Sequence, residues 1–111
     1  MRIVVVEDEP AIADFLVRGL EAAGYAVALA NDGPGGEKLI LEGEADLVIL
    51  DLMLPGRSGL DVLGTIRKVR PHLPVIILSA KGEIEERSCK ELVDIVQHRA
   101  QFLWQEFRSF H

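Results

Sequence analysis

Four positions in this sequence place a polar, reactive side chain at the end of an apolar run. Glu7 and Asp8 follow the β-branched residues 3–6, Asp51 follows residues 47–50, and Ser79 follows residues 75–78. Short unbroken runs of this kind mark strands covered on both faces of a parallel sheet. Open sheets of that type bind ligands beyond the carboxyl ends of their strands, where the strand order reverses. If the first and third strands are neighbours, Glu7, Asp8 and Asp51 converge on one pocket. Carboxylates a few Å apart repel one another, and a cation among them relieves the repulsion. Mg²⁺ is the natural candidate, because it takes oxygen ligands, keeps several waters and is typically held by one or two carboxylates plus a phosphate oxygen. A carboxylate beside such a cation can attack phosphorus and form an aspartyl phosphate, with a nearby hydroxyl stabilising the transferring oxygens. Asp51 is best placed for the attack. Any one of these residues is ordinary where a chain turns, but four matching strand ends are harder to assign to turns.

The elements that must position these residues alternate along the chain. After residues 3–6, Pro10 suits a first helical turn, and Ile12, Phe15, Leu16, Gly19, Leu20 and Ala23 recur at helical spacing until Gly24 supplies a stop. Residues 25–30 read as a short strand. Residues 31–36 read as a loop, followed by a short helix through Glu37, Leu39, Ile40 and Leu41. Ser58 and Asp61 resemble a capping box that opens a helix with Val62, Leu63, Ile66 and Val69 on its apolar face. Pro71 and Pro74 break the chain before residues 75–78. Right-handed crossovers in this order predict an α/β fold, an open parallel sheet with helices on both faces. From Glu83 to Phe107 there is no Gly or Pro, and Val93, Val96, Ala100, Leu103, Phe107 and Phe110 follow a coiled-coil-like spacing. Residues 83–110 are therefore expected to form a long amphipathic helix with more apolar face than one domain needs, part of it packing on a partner chain.

With 111 residues the chain has the size of one domain, so residues 1–111 are expected to share one core, with 1–82 the α/β part. Eighteen acids against twelve bases give a net charge of −6, which argues against binding of nucleic acid or an anionic membrane by this chain alone. Residues 1–61 hold twelve of the acids and four of the bases, so the amino-terminal part is where a cation belongs. The single cysteine, Cys89, excludes an internal disulfide, and no four Cys or His stand at zinc-ligand spacing. No apolar run is long enough for a signal peptide or a membrane span, which makes the cytoplasm the default location.

The segments IVVVEDEP, DLVILDLMLPGRSGLDVL and PVIILSAKGEIEER, in this order, resemble the receiver domain of bacterial two-component response regulators, in the style of the branch that carries a winged-helix DNA-binding domain. The resemblance covers residues 1–87. It implies a flavodoxin-like sheet of order 2-1-3-4 and a phosphoacceptor domain rather than an enzyme. Asp51 would take a phosphoryl group from a sensor histidine kinase, and Glu7, Asp8, Asp51 and the backbone carbonyl of Met53 would hold Mg²⁺. The Ser79 hydroxyl would contact the phosphoryl oxygens.

Beyond Arg87 the sequence departs from that family's pattern. A fifth strand and the lysine followed by proline at its end are missing, and residues 88–93 look like the opening of the family's last helix. Loss of that lysine removes a fixed positive charge from the phosphoryl group, a type of contact worth on the order of 2.7–4 kcal/mol by analogy with oxyanion donors, unless Lys81 or Lys90 replaces it. Loss of the strand would leave residues 75–78 as an unprotected sheet edge, for which a homodimer, swapped through the long helix, is one answer. Two functions from different classes follow: a signalling receiver phosphorylated on Asp51, and a receiver-derived dimerisation module that no longer signals. A phosphatase with paired aspartates ranks last, since position 53 is Met.

The remaining features read more simply. Gly33, Gly35 and Gly36 do not fit a phosphate-loop order and read as loop flexibility. His98 reads as an exposed helical histidine and not a phosphodonor, and Cys89 as a plain helical thiol. Arg67, Lys68 and Arg70 read as a solvated basic helix end, favourable against the helix dipole.

Overall fold

A computed structural model describes residues 1–43 and 45–78. Seven elements alternate along them: β1 (Arg2–Val6), α1 (Pro10–Ala22), β2 (Ala26–Ala30), α2 (Gly33–Leu41), β3 (Leu47–Asp51), α3 (Gly59–Val69) and β4 (Val75–Leu78). The four strands form one sheet of order β2-β1-β3-β4 with parallel neighbours throughout. This is the flavodoxin-like arrangement expected from the sequence. The expectations for Ser79, Lys81, Lys90 and the helix over 83–110 lie outside the described residues.

The unbroken apolar runs are explained by the two faces of the sheet. Ile3 and Val5 of β1, with Leu47 and Ile49 of β3, pack under Ile12, Leu16 and Leu20 of α1. The alternate residues Val4, Val6, Val48 and Leu50 pack on the other face with Ile40 of α2 and Val62 and Ile66 of α3. Side chains alternate along a strand, so a strand covered on both sides is apolar at every position.

Gly24 ends α1 with a φ of +96°, a left-handed conformation that glycine adopts without strain. Pro10 occupies the first turn of that helix, where its missing N–H costs nothing. Ser58 caps α3 by accepting a hydrogen bond from Asp61 N at 3.2 Å, as its pattern predicted.

Two readings of the sequence are corrected. Residues 33–36 are the first turn of α2 and not a loop. Asp32 caps the helix by accepting from Gly35 N at 2.7 Å, and Pro34 sits in the first turn. The glycines serve close packing: a Cβ on Gly33 would run into the backbone of Arg57, and one on Gly36 would lie 2.6–2.7 Å from the Val6 methyls. Nor is the basic end of α3 simply solvated. Arg67 Nη1 donates to Leu73 O at 2.6 Å and Arg70 Nη1 to Ala45 O at 2.8 Å, so both guanidinium groups tie down turns at the amino-terminal end of the sheet.

Candidate functional site: an acidic pocket at the carboxyl ends of β1 and β3

The register of the sheet builds the site. Val6 pairs with Ala30 on one side and Leu50 on the other. Glu7 extends that ladder by donating from its backbone N to Ala30 O at 3.0 Å. By the two-residue alternation, Glu7 and Asp51 fall on the side of the sheet shared by Val5 and Ile49. Both are completely buried, an unusual state for carboxylates. Asp8 is half-buried beside them.

Each of Glu7, Asp8 and Asp51 offers a carboxylate oxygen, and these oxygens all lie within 4.8 Å of one another. Glu7 Oε1, Asp8 Oδ1 and Asp51 Oδ2 are shielded from solvent. The second oxygens of Glu7 and Asp51 are held by backbone. Glu7 Oε2 accepts from Glu9 N at 3.0 Å, and Asp51 Oδ1 accepts from Met53 N at 3.0 Å. These bonds fix two carboxylates while directing the cluster toward a common point. Three hard, anionic oxygen donors suit a small divalent cation such as Mg²⁺ and not a soft metal.

Of the residues expected from the sequence, Glu7, Asp8 and Asp51 are thus brought together. Met53 stands next to them, bonded through its N–H to Asp51, and is itself 62 % exposed. Ser79 lies outside the described residues, although the register pairs Asp51 with Leu78, the residue that precedes it.

The loop between β3 and α3 carries a residue that sequence reasoning passed over. Arg57 donates through Nε to Glu37 Oε2 of α2 at 2.6 Å, and through Nη2 to Thr65 Oγ1 of α3 at 2.8 Å. A weaker contact runs from Nη2 to Asp61 O at 3.3 Å. Glu37 is twenty residues away in the chain, so no local spacing announces the pair.

A profile of the response regulator receiver domain matches residues 3–97, extending past the last segment that carries the sequence resemblance. The chain belongs to this family, whose members are signalling domains. Among its relatives it is similar to the transcriptional regulatory protein CusR of Escherichia coli (strain K12), with 40% identity over 87 residues covering 78% of this chain and 38% of that protein. It is also similar to the transcriptional regulatory protein DltR of Streptococcus agalactiae serotype III (strain NEM316), with 47% identity over 87 residues, 78% of this chain and 39% of that protein. The chain therefore spans roughly two fifths of the length of these relatives. Among solved structures, the receiver domain of the Francisella response regulator 1452 superposes with a TM-score of 0.77 at 27% identity, covering 96% of this chain and 98% of that one. NtrX from Brucella abortus in complex with ADP gives a TM-score of 0.80 at 25% identity, covering 97% of this chain and 29% of that one.

Proposed function

We propose that this receiver domain accepts a phosphoryl group from a phosphorylated histidine of a sensor kinase onto Asp51, in a Mg²⁺-dependent step of two-component signalling. The observation that carries the reading is the convergence of Glu7, Asp8 and Asp51, from two adjacent strand ends, within 4.8 Å. Asp51 is held for the reaction. The bond from Met53 N to Oδ1 sets the plane of the carboxylate, and Oδ2 is the oxygen we assign to the attack. The new bond joins Oδ2 to phosphorus as the phosphorus–nitrogen bond of phosphohistidine breaks, and the leaving imidazole nitrogen takes a proton.

Glu7, Asp8, Asp51 and the Met53 carbonyl would hold the cation. Bound Mg²⁺ would supply positive charge to offset the negative charge on the phosphoryl oxygens. In this reading Ser79 contacts those oxygens, and phosphotransfer is slowed by the missing family lysine unless Lys81 or Lys90 replaces it. The domain works where the kinase's phosphohistidine is, in the cytoplasm. Both curated relatives are named transcriptional regulatory proteins, yet the match covers a minor part of each, so the proposal for this chain stops at the phosphoacceptor step.

Intact-protein mass after incubation with Mg²⁺ and a small-molecule phosphodonor tests the reading. Wild type should gain one phosphoryl group, and Asp51→Asn or wild type in chelator should gain none. Equal gain by wild type and Asp51→Asn, or gain by neither, overturns it. Light scattering on the same samples tests the homodimer proposed from residues 83–110, which should be seen with or without phosphorylation if that face joins two chains.

A further inference from the structure

The loop between β3 and α3 has two anchored ends and a middle held from outside. At one end Met53 N bonds Asp51 Oδ1 at 3.0 Å, and Gly59 N returns to Leu52 O at 3.0 Å. Gly59 makes the closure possible, since a Cβ there would lie 2.5 Å from Leu52 Cα. The middle of the loop is fastened to α2. Gly33 N donates to Pro55 O at 3.4 Å, and Gly56, at a φ of +80°, turns the chain so that the backbone of Arg57 abuts Gly33. The Arg57 side chain then spans both helices, bonding Glu37 on α2 and Thr65 on α3. The planar fork of a guanidinium meets these partners through separate nitrogens in fixed geometry, whereas an ammonium would have to reach them all from one point.

We infer that Arg57 is a positioning residue for the metal site, holding the loop so that the Met53 carbonyl stays in place for the cation. The inference rests on the phosphoacceptor reading, because it takes the Met53 carbonyl as a ligand. A carbonyl on a short loop is oriented by whatever fixes the loop, and here the backbone bonds of Met53, Gly59 and Gly33 are joined by one side chain that ties the loop to both flanking helices. Groups one step removed from metal ligands commonly change metal affinity by about 10- to 100-fold when removed. Arg57 acts through backbone and is partly exposed, so the lower end of that range applies. It also makes cation affinity depend on the position of α2, an element that contributes no ligand.

The test measures Mn²⁺ affinity by electron paramagnetic resonance on wild type, Arg57→Ala, Arg57→Lys and Thr65→Val, with the half-saturating Mg²⁺ for phosphodonor reaction and thermal melting on the same proteins. Arg57→Ala should bind Mn²⁺ about tenfold more weakly and need about tenfold more Mg²⁺, while its rate at saturating Mg²⁺ stays within about twofold of wild type. Arg57→Lys and Thr65→Val, which keep part of the network, should fall between. A purely structural residue would lower the melting temperature and leave Mn²⁺ affinity unchanged well below it. Mn²⁺ affinity equal to wild type in Arg57→Ala overturns the inference alone; if that variant does not fold, equal affinity in both Arg57→Lys and Thr65→Val does so. Failure of wild type itself to bind Mn²⁺ more tightly than Asp51→Asn overturns the phosphoacceptor reading and this inference with it.

Discussion

Val6 and Leu50 are direct partners across the β1–β3 ladder, so the residues that follow them, Glu7 and Asp51, stand side by side at the carboxyl end of the sheet. Two acids more than forty positions apart in the sequence are thereby fixed by strand register and not by loop conformation. A slip of one residue would send every side chain of the moving strand to the opposite face, so the packed core also protects the pocket.

Carboxylates within 4.8 Å of one another repel when no cation is bound. Glu7→Gln keeps an oxygen that can accept from Glu9 N but removes one charge from the cluster. We expect this variant to melt a few degrees above wild type in chelator, a change of about 1 kcal/mol. Saturating Mg²⁺ should reverse the order, since ligand at 100 times its dissociation constant stabilises by about 2.7 kcal/mol and the variant binds less well. Calorimetric melts with and without Mg²⁺ check both signs.

Two glycines should respond in opposite ways to alanine. Gly36→Ala forces a methyl into Val6, which is fully buried and has no room to yield, and should cost about 1–3 kcal/mol. Gly64→Ala lies inside α3 with nothing within 4 Å of the new methyl and should add about 0.5–1 kcal/mol. Urea unfolding of the pair would contradict the packing described if Gly36→Ala were neutral.

The helix caps offer a graded test. Ser58→Ala and Asp32→Ala should each cost about 1 kcal/mol, and Ser58→Gly only a few tenths. Both variants lose the bond to Asp61 N, so similar losses for alanine and glycine at position 58 would mean that the bond alone sets the cost, and not how the freed N–H is accommodated.

Arg70→Met preserves the aliphatic stem and removes the donor to Ala45 O. Because the guanidinium is partly exposed, the expected loss is about 1 kcal/mol, read as a lower denaturation midpoint at unchanged slope. A slope change instead would point to an effect on compactness.

Much of this was readable from residue order. The runs at 3–6 and 47–50 announced buried strands because a parallel sheet covered on both faces leaves no polar position, whereas the run at 75–78 announced a strand of which only Leu78 is buried and Ile77 is exposed. Glu7, Asp8 and Asp51 were legible for the same reason: an acid directly after such a run has to emerge at the sheet's end. The start of α2 was misread because Gly33, Pro34, Gly35 and Gly36 carry loop composition. Their use depends on Val6 and Arg57, contacts that no local window contains. The roles of Arg57, Arg67 and Arg70 were hidden likewise, since their acceptors belong to other elements or to backbone carbonyls.

The order β2-β1-β3-β4 also bears on how the chain is made. β1 sits between two strands that both come after it in the sequence, and every pairing in the sheet spans a helix. During synthesis the apolar stretch of β1 emerges before either neighbour exists, and its second edge cannot close until Leu47–Asp51 has left the ribosome. For that interval the nascent chain exposes a β-prone segment to other chains, the kind of exposure that chaperones guard. A stalled or truncated product ending before β3 would thus be prone to aggregate even though it carries α1 and β2 intact.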